Sequence, residues 1–320
     1  VRSSAASDVY KRQYFERNEA NPLEEDLIIV DEASMLDISL FYHLLCALKD
    51  GARLILVGDI DQLPPVGAGE PLKDLMSWGY VPIVRLKRIF RQEEGSGIVE
   101  NAALIRKGEM CVPDEAGEFR IVYAADDEDA YRIVMDLCRE LNYGNEENKM
   151  LLQVLSPMYR GVCGVDHLNE SLQEMIHGEK VPDGMKFFPG DKVMQTRNDY
   201  EKGIYNGDVG TVWTATPQKV FVRYFDKEVV YEGEERFDLR LAYAVTVHKS
   251  QGSEYETVIF ILRPSQHNML QRNLLYTGVT RARKNTILVT APDALRRALA
   301  IQHTGNRYSL FLPFLNHEAL

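Results

Sequence analysis

The sequence predicts an α/β protein built on parallel β-sheets, with a small antiparallel β-rich insertion in its second half. Two observations predict the parallel sheets: short aliphatic runs are typical of buried strands, and segments with helical spacing of apolar residues separate them. A third observation is the change of pattern between residues 187 and 237, where short β-rich segments are divided by turn signals. The length of 320 residues corresponds to about two domains.

The first half contains alternating strand and helix patterns. The run Leu-Ile-Ile-Val at 27–30 ends in Asp31 and predicts a fully buried strand. Leu40 and Leu44 share one face of a predicted helix, which Gly51 ends. The remaining predicted elements of this half are a buried strand at 53–57, a helix at 71–78 and a strand at 81–86.

The same alternation resumes after residue 118 and predicts a second α/β domain. Its predicted strands lie at 119–123, 151–155, 257–262 and 286–290, and its predicted helices at 129–141, 165–176, 244–250, 268–280 and 293–300. The insertion at 187–237 carries the turn signals Pro189-Gly190 and Asn206-Gly207-Asp208. We expect it to form a small antiparallel barrel.

Charge is distributed unevenly along the chain. The net charge of −11, taken as a sum, disfavours a nucleic-acid partner. Residues 236–297, however, hold ten Lys or Arg against four acids. Because phosphate binding depends on the local field, this basic stretch is compatible with nucleic acid.

Cysteine spacing and hydropathy exclude several classes of protein. The four cysteines lie far apart without a Cys-x-x-Cys pair, which argues against a zinc ribbon or a disulfide scaffold and fits a reducing, cytoplasmic setting. The longest aliphatic runs are short, so the sequence predicts no bilayer span. Residues 1–13 lack apolar periodicity, and we interpret them as a foreign or disordered leader.

An acidic pair follows the first predicted strand. Asp31 and Glu32 lie at the carboxyl end of that strand, where ligands bind in open α/β sheets. An Asp in this place suits Mg²⁺ held through water, and a Glu suits orientation of an attacking water in nucleotide hydrolysis. Taken alone, the pair is about as well explained as a solvated acidic strand end.

The segment GDIDQLPPVG at 58–67 follows the second predicted strand. The amide of Gln62 can hydrogen-bond both a phosphate oxygen and a water, so it can sense a γ-phosphate. Pro64 and Pro65 fix φ and stiffen the loop. The alternative is a proline-rich turn without chemistry.

Basic residues supply further candidates. Arg91, in IFRQ at 89–92, could contact a phosphate bidentately, although a solvated basic face explains those residues better when they are taken alone. Arg281 follows a predicted helix, and an arginine that reaches across a cleft can stabilise a transferring phosphoryl group. The segment AVTVHKSQGSE at 244–254 suits a helix end that meets both a nucleic-acid backbone and a nucleotide. No hydrolase or metalloprotease motif accompanies His248.

Taken in order, these segments resemble the superfamily-one helicases of the RecD-like group. DEASM at 31–35 is similar to motif II, GDIDQLPPVG to motif III and IFRQ to motif IV. AVTVHKSQGSEY at 244–255 is similar to motif V and LLYTGVTRARK at 274–284 to motif VI, so the resemblance runs from about residue 14 to the C-terminus. It implies two RecA-like, P-loop NTPase-type domains with ATP and Mg²⁺ between them and single-stranded DNA across their tops. Members move 5′ to 3′ and unwind duplexes with a 5′ overhang in recombination and repair.

The resemblance also implies roles for individual residues. Those implied to handle the nucleotide, Mg²⁺ or the attacking water are Asp31, Glu32, Gln62, Arg91, Gly252, Glu254 and Arg281. Those implied to lie near the DNA are Pro64, Pro65, Val66, Thr246, His248 and Lys249, together with Arg197, Asn198 and Tyr205 of the insertion.

The implied domains are a truncated first RecA-like domain at 14–117, a second at 118–186 and 238–320, and an SH3-like barrel inserted at 187–237. The phosphate cradle of this class needs Gly-x4-Gly-Lys-[Ser/Thr], and the dipeptide Gly-Lys is absent from the sequence. We therefore expect a C-terminal part of an ATP-driven helicase that is inactive as an ATPase by itself. Two alternatives stay open: a non-catalytic nucleic-acid-binding module, and the RecD-type subunit of a helicase–nuclease complex.

Overall fold

The computed structural model describes residues 15–86, 96–302 and 311–316. Contacts divide the chain into two units, residues 1–88 with 303–320, and residues 89–302. Helices α1 to α9 span Ile38–Cys46, Pro71–Trp78, Gly97–Lys107, Asp127–Glu140, Glu146–Leu151, Val165–His177, Arg272–Val279, Pro292–Ala300 and Phe311–Leu315. Strands β1 to β12 span Leu27–Val30, Arg53–Leu56, Phe119–Tyr123, Leu152–Ser156, Lys192–Gln195, Val209–Ala215, Lys219–Arg223, Glu228–Glu232, Leu239–Leu241, Ala244–Thr246, Tyr255–Leu262 and Ala282–Thr290.

The first unit contains the parallel pair β1 and β2. One face of this pair packs on a small core around Ala33, Leu36 and Phe41. The opposite face is exposed: Leu27 is 48% and Ile29 is 61% accessible. The prediction of a fully buried first strand is therefore wrong for half of its side chains, because successive side chains in a strand point to opposite faces.

Two other predictions for this unit need correction. Residues 81–86 form no strand, and Pro82 in this segment has no backbone N–H to donate to a ladder. Helix α9 belongs to the first unit, although the prediction assigned residues up to 320 to the second domain. It packs on α2, where the Trp78 indole Nε1 donates to the Leu315 carbonyl at 3.1 Å.

The second unit is built on a five-stranded parallel sheet with strand order β10-β4-β11-β12-β3. Strand β4 is buried along its whole length, including its polar residues Gln153 and Ser156. Helix α3 also lies in this unit and packs on α7 and β12, although the predicted first domain extends to residue 117. The predicted parallel α/β organisation is confirmed.

The segment after β9 differs from its predicted form. A helix is expected at 244–250, but residues 244–246 form the edge strand β10 beside β4, and residues 247–252 form turns. All three residues of β10 are buried, so packing of the β-branched pair Val245 and Thr246 against the sheet outweighs helical spacing. The functional segment is therefore a strand-end turn.

The insertion and the strand β9 that follows it form a five-stranded antiparallel sheet of order β8-β7-β6-β5-β9, which extends past the expected end at 237. Its own core is a separate buried cluster that includes Phe187, Val212, Val222 and Tyr231.

A buried polar cluster joins this antiparallel sheet to the parallel sheet. Asp191, which is fully buried, accepts hydrogen bonds from Gln173, from His177 Nε2 at 2.8 Å and from Tyr243 Oη at 2.9 Å. The next residue, Lys192, donates to Gln153 Oε1 at 2.9 Å and to the Leu152 carbonyl at 3.1 Å. Burial lowers the pKa of Lys192 to about 7.

All four cysteines are free thiols. No helix in the described ranges is both long and apolar enough to cross a membrane.

Candidate functional site

The acidic pair lies in a strained turn at the end of β1. Asp31 is exposed, and its Oδ1 accepts the Glu32 N–H at 2.8 Å. Glu32 has φ 50° and ψ 38°, a left-handed backbone that is costly for a residue with a Cβ. It begins the short 3₁₀ turn Ala33–Met35. Such strain is concentrated at functional sites, so the backbone supports a chemical role for this turn.

The loop 58–67 packs directly on this turn, and its two end glycines make the packing possible. A Cβ on Gly58 would lie 2.8 Å from the Ser34 backbone nitrogen, and a Cβ on Gly67 would lie 2.0 Å from Asp37 Oδ2. The Ala33 N–H donates to the Val57 carbonyl at 2.8 Å, which fixes the start of the loop. The two segments similar to motifs II and III therefore form one packed element.

Gln62 lies inside that packed element. Its side chain is 9% exposed, and its backbone N–H donates to the Asp59 carbonyl at 3.2 Å. A cavity of about 20 Å³ is lined by Gln62, Ser34 and the two prolines Pro64 and Pro65, among other residues. Val66, by contrast, is 52% exposed. The loop thus buries the side-chain amide of Gln62 and exposes the apolar side chain of Val66.

In the second unit, the turn after β10 contains the segment similar to motif V. Thr246 is buried, and its Oγ1 accepts the Lys249 N–H at 3.3 Å. Gly252 has φ +75° and is exposed, so it ends the turn in a conformation that favours glycine. Burial lowers the pKa of His248, which favours the neutral imidazole.

Arg281 lies against this turn. Its side chain is 2% exposed, and it donates to the Thr277 carbonyl at 3.2 Å and to the Ser253 carbonyl at 3.1 Å. The Arg281 carbonyl in turn accepts the Tyr255 N–H at 2.9 Å. The structure thus brings Arg281 beside the 252–254 segment, with the guanidinium directed at backbone carbonyls.

The insertion residues named as DNA contacts lie next to the same turn. Lys249 Nζ donates to Asn206 Oδ1 at 2.6 Å, and the Asn206 N–H donates to Asn198 Oδ1 at 3.0 Å. Arg197 is exposed and lies 3.4 Å from Asp238. The Tyr205 N–H donates to the carboxylate of Asp208 at 2.9 Å. Lys249 and the 197–206 segment, 43 or more positions apart in sequence, are brought together.

The predicted phosphate contact Arg91, with the rest of IFRQ, lies outside the described residues, as does the leader expected at 1–13. Sequence reasoning missed Tyr200, which is 77% exposed, and Asn206, which bonds Lys249. The dense mixture of amide and aromatic side chains from 198 to 206 is the signal that could have identified both.

Three family models match consecutive parts of the chain. An AAA domain matches residues 4–120, which overlaps the expected leader. The SH3 domain of ATP-dependent RecD-like DNA helicases matches residues 168–224, and a UvrD-like helicase C-terminal domain matches residues 241–289.

Solved helicase structures share the fold. A Bacteroides Pif1 helicase in complex with ADP-AlF3 and ssDNA aligns with a TM-score of 0.57 at 20% identity, over 98% of this chain and 81% of that one. The Candida albicans Pif1 helicase aligns with a TM-score of 0.55 at 19% identity, over 92% of this chain and 77% of that one. The chain therefore shares the fold of these two solved structures.

Curated relatives narrow this class. The ATP-dependent RecD2 DNA helicase of Deinococcus radiodurans is 37% identical over 305 residues, which cover 94% of this chain and 41% of the relative. The RecBCD enzyme subunit RecD of Mycolicibacterium smegmatis is 33% identical over 316 residues, which cover 92% of this chain and 56% of the relative. The chain is therefore similar to RecD-like helicases over more than nine-tenths of its length and spans about half the length of these relatives.

Proposed function

We propose that the chain supplies motifs II to VI of an ATP-dependent DNA helicase, which couples ATP hydrolysis to 5′ to 3′ movement on single-stranded DNA in recombination or repair. The main support is the packed element of the first unit, in which a strained Glu32 turn and the Gln62 loop contact each other. A binding module without catalysis has no need of this arrangement.

ATP and Mg²⁺ are the cofactors of this proposal. Among the described residues, no cluster of three or more His, Cys, Asp or Glu could hold a metal ion. Mg²⁺ usually keeps several waters and takes one or two carboxylates plus substrate phosphates. The exposed Asp31 at a strand end fits such a water-mediated contact, so Asp31 and Glu32 would hold Mg²⁺ when a nucleotide is bound.

In the proposed mechanism the candidate site residues have different tasks. Glu32 orients the attacking water, and Gln62 transmits the presence of the γ-phosphate to the stiff loop that ends at Val66. Arg91 and Arg281 stabilise charge on the phosphates, and Gly252 and Glu254 line the nucleotide. The phosphate cradle must come from a P-loop outside these 320 residues, because the sequence has no Gly-Lys.

Single-stranded DNA, or a duplex with a 5′ overhang, is the proposed substrate, and the protein would act in the cytoplasm. The strand would lie near Thr246, His248 and Lys249, near the loop 64–66, and along the insertion at 197–205. The contact between Lys249 and Asn206 supports this proposal, since it joins two of these regions. In this proposal the residues 187–237 are an SH3-like barrel, and the segments around them are a second RecA-like domain.

ATP hydrolysis by the 320-residue chain, with and without single-stranded DNA, tests the dependence on an external P-loop. We expect no DNA-stimulated turnover. Turnover that DNA stimulates and that Glu32→Gln abolishes would contradict this expectation.

A form of the protein that includes a P-loop tests Arg281. We expect Arg281→Ala to leave DNA binding largely intact and to lower hydrolysis by about 10³-fold or more, on the precedent of arginine fingers. The control is Arg296→Ala, which removes an exposed arginine of α8. Full activity of the Arg281→Ala variant would exclude the assigned role.

A subunit of a helicase–nuclease complex is the second candidate, since relatives named RecD subunits match over 92% of the chain. Purification of the tagged protein from its own cells distinguishes the two. Stoichiometric partner subunits would favour the complex, and a single species would favour a stand-alone helicase.

A further inference from the structure

Tyr200 is an exposed aromatic side chain with a defined orientation. It is 77% accessible, although aromatic side chains usually bury much of their area. Its ring meets the ring of Tyr205 edge to face, with centroids 6.1 Å apart and planes at 75°. Its hydroxyl accepts a hydrogen bond from Asn198 Nδ2 at 3.2 Å. The ring is therefore held by two contacts while most of its surface stays accessible to a ligand.

The loop that carries Tyr200 is closed by backbone bonds. The Asp199 N–H donates to the Ile204 carbonyl at 2.7 Å, and the Ile204 N–H donates back to the Asp199 carbonyl at 3.0 Å. The Lys202 N–H donates to Asp199 Oδ1 at 2.9 Å. Tyr200 thus lies in a short closed loop, which reduces the ordering cost when a ligand binds.

A continuous chain of hydrogen bonds connects Tyr200 to the turn after β10. Asn198 uses both ends of its amide, because Nδ2 donates to Tyr200 and Oδ1 accepts the Asn206 N–H. Asn206 Oδ1 then accepts from Lys249 Nζ. An aromatic face and a cation are thereby fixed relative to each other by two asparagines. These are the two groups that a single strand requires, one for its bases and one for its phosphates.

Local charge sets the orientation of such a strand. The exposed Glu201 follows Tyr200, and Asp199 precedes it. Asp199 is paired with Lys202, but the exposed Glu201 carboxylate would repel a phosphate. This favours a strand whose bases face Tyr200 and whose phosphates face Lys249 and Arg197. A nucleobase is uncharged and is therefore not repelled by a carboxylate.

We propose that Tyr200 stacks on a nucleobase of single-stranded DNA, and that Asn198 and Asn206 are positioning residues that hold Tyr200 and Lys249 for the base and phosphate of the same strand. The proposal rests on the proposed function, since it names the contacts of the strand already assigned to this surface.

The test is fluorescence anisotropy of a labelled oligothymidylate with the 320-residue chain, over a series of salt concentrations. Stacking on one base predicts that Tyr200→Ala weakens binding by about 5-fold to 150-fold. Tyr200→Phe keeps the ring but loses the hydrogen bond from Asn198, so its affinity should lie between those of Tyr200→Ala and the original protein. The matched control is Tyr123→Ala, because Tyr123 is 52% exposed and ends β3, at the opposite edge of the sheet from β10.

The salt dependence separates the roles of the residues. Lys249→Ala should reduce the magnitude of the slope of log K against log[salt] by about 1, the value for one phosphate contact. Tyr200→Ala should leave the slope unchanged. Asn206→Ala should weaken binding and retain the slope, because the cation is still present. Thermal unfolding of each variant verifies that the fold is intact.

The outcomes are distinct. If the original chain fails to bind single-stranded DNA at low salt, both the proposed function and this inference fail. If the original chain binds and Tyr200→Ala binds equally well, the inference alone is overturned. A Tyr123→Ala loss as large as that of Tyr200→Ala would also overturn it.

Discussion

Removal of the Asp191 carboxylate should destabilise the second unit more than any surface change. Asp191 is completely buried and accepts from Gln173, His177 and Tyr243 and from the Phe188 N–H at 2.7 Å. Hydrogen bonds to a charged acceptor contribute about 1.5–3 kcal/mol each, but four bonds to one group are not additive. Removal of the acceptor leaves several buried donors unsatisfied at about 1–3 kcal/mol each, which amounts to about 3–5 kcal/mol for the cluster. We expect Asp191→Ala to lose that amount.

This loss is a large part of a typical unfolding free energy of about 5–15 kcal/mol. Urea unfolding followed by circular dichroism measures it as a shift of the transition midpoint. Asp183→Ala is the control, since Asp183 is exposed and only eight positions away, and its effect should stay within about 0.5 kcal/mol. A loss below about 1 kcal/mol for Asp191→Ala would refute the view that this carboxylate anchors the start of β5 to α6 and Tyr243.

Three further predictions concern single side chains. Lys192 has a pKa of about 7 in the folded chain against an ordinary 10.5, so the unfolded chain binds more protons between these pH values and stability rises with pH there. The unfolding free energy of the original protein relative to Lys192→Met should therefore increase from pH 7 to 9, by at most about 1.4 kcal/mol per pH unit. A difference that does not change with pH would contradict this. Glu32→Gly should be more stable than Glu32→Ala by about 1 kcal/mol in thermal unfolding, because glycine tolerates φ 50°, and the reverse order would show that this backbone is unstrained. Gly58→Ala should lower the unfolding free energy by about 1–3 kcal/mol, because the new Cβ meets the Ser34 backbone. The control Ser39→Ala, at an exposed position, should be nearly neutral. Equal effects of the two substitutions would contradict the close packing at Gly58.

Continuous aliphatic runs predicted the buried strands of the parallel sheet, because such a strand is apolar on both faces. The apolar parts of β11 and β12, at 258–262 and 287–289, follow that rule. The rule failed at β1, which is also an aliphatic run but has one exposed face, formed by Leu27 and Ile29. Composition alone does not show what covers a strand. At 244–250 the sequence favoured a helix, but residues 244–246 form a strand because they pair with β4, which is distant in sequence.

The candidate site was predictable where a motif is contiguous, as for Asp31, Glu32 and Gln62. The Tyr200–Lys249 connection was not, because it depends on the insertion folding back over 43 positions from Asn206 to Lys249. The Asp191 cluster is likewise formed by Tyr243, 52 positions away. No local pattern encodes such pairings, since tertiary packing alone brings these side chains together.

Photo-cross-linking with an oligonucleotide that carries 5-iodouracil tests the central claim most directly, because it locates the bound strand on the chain. Trypsin cleaves after Arg197 and Lys202 and separates Tyr200, in the peptide 198–202, from Tyr205, in the peptide 203–219. We predict a cross-link in 198–202 that Tyr200→Ala removes and an excess of unlabelled single strand suppresses. Cross-links confined to other peptides, or none while the strand is bound, would contradict the placement of single-stranded DNA on this surface.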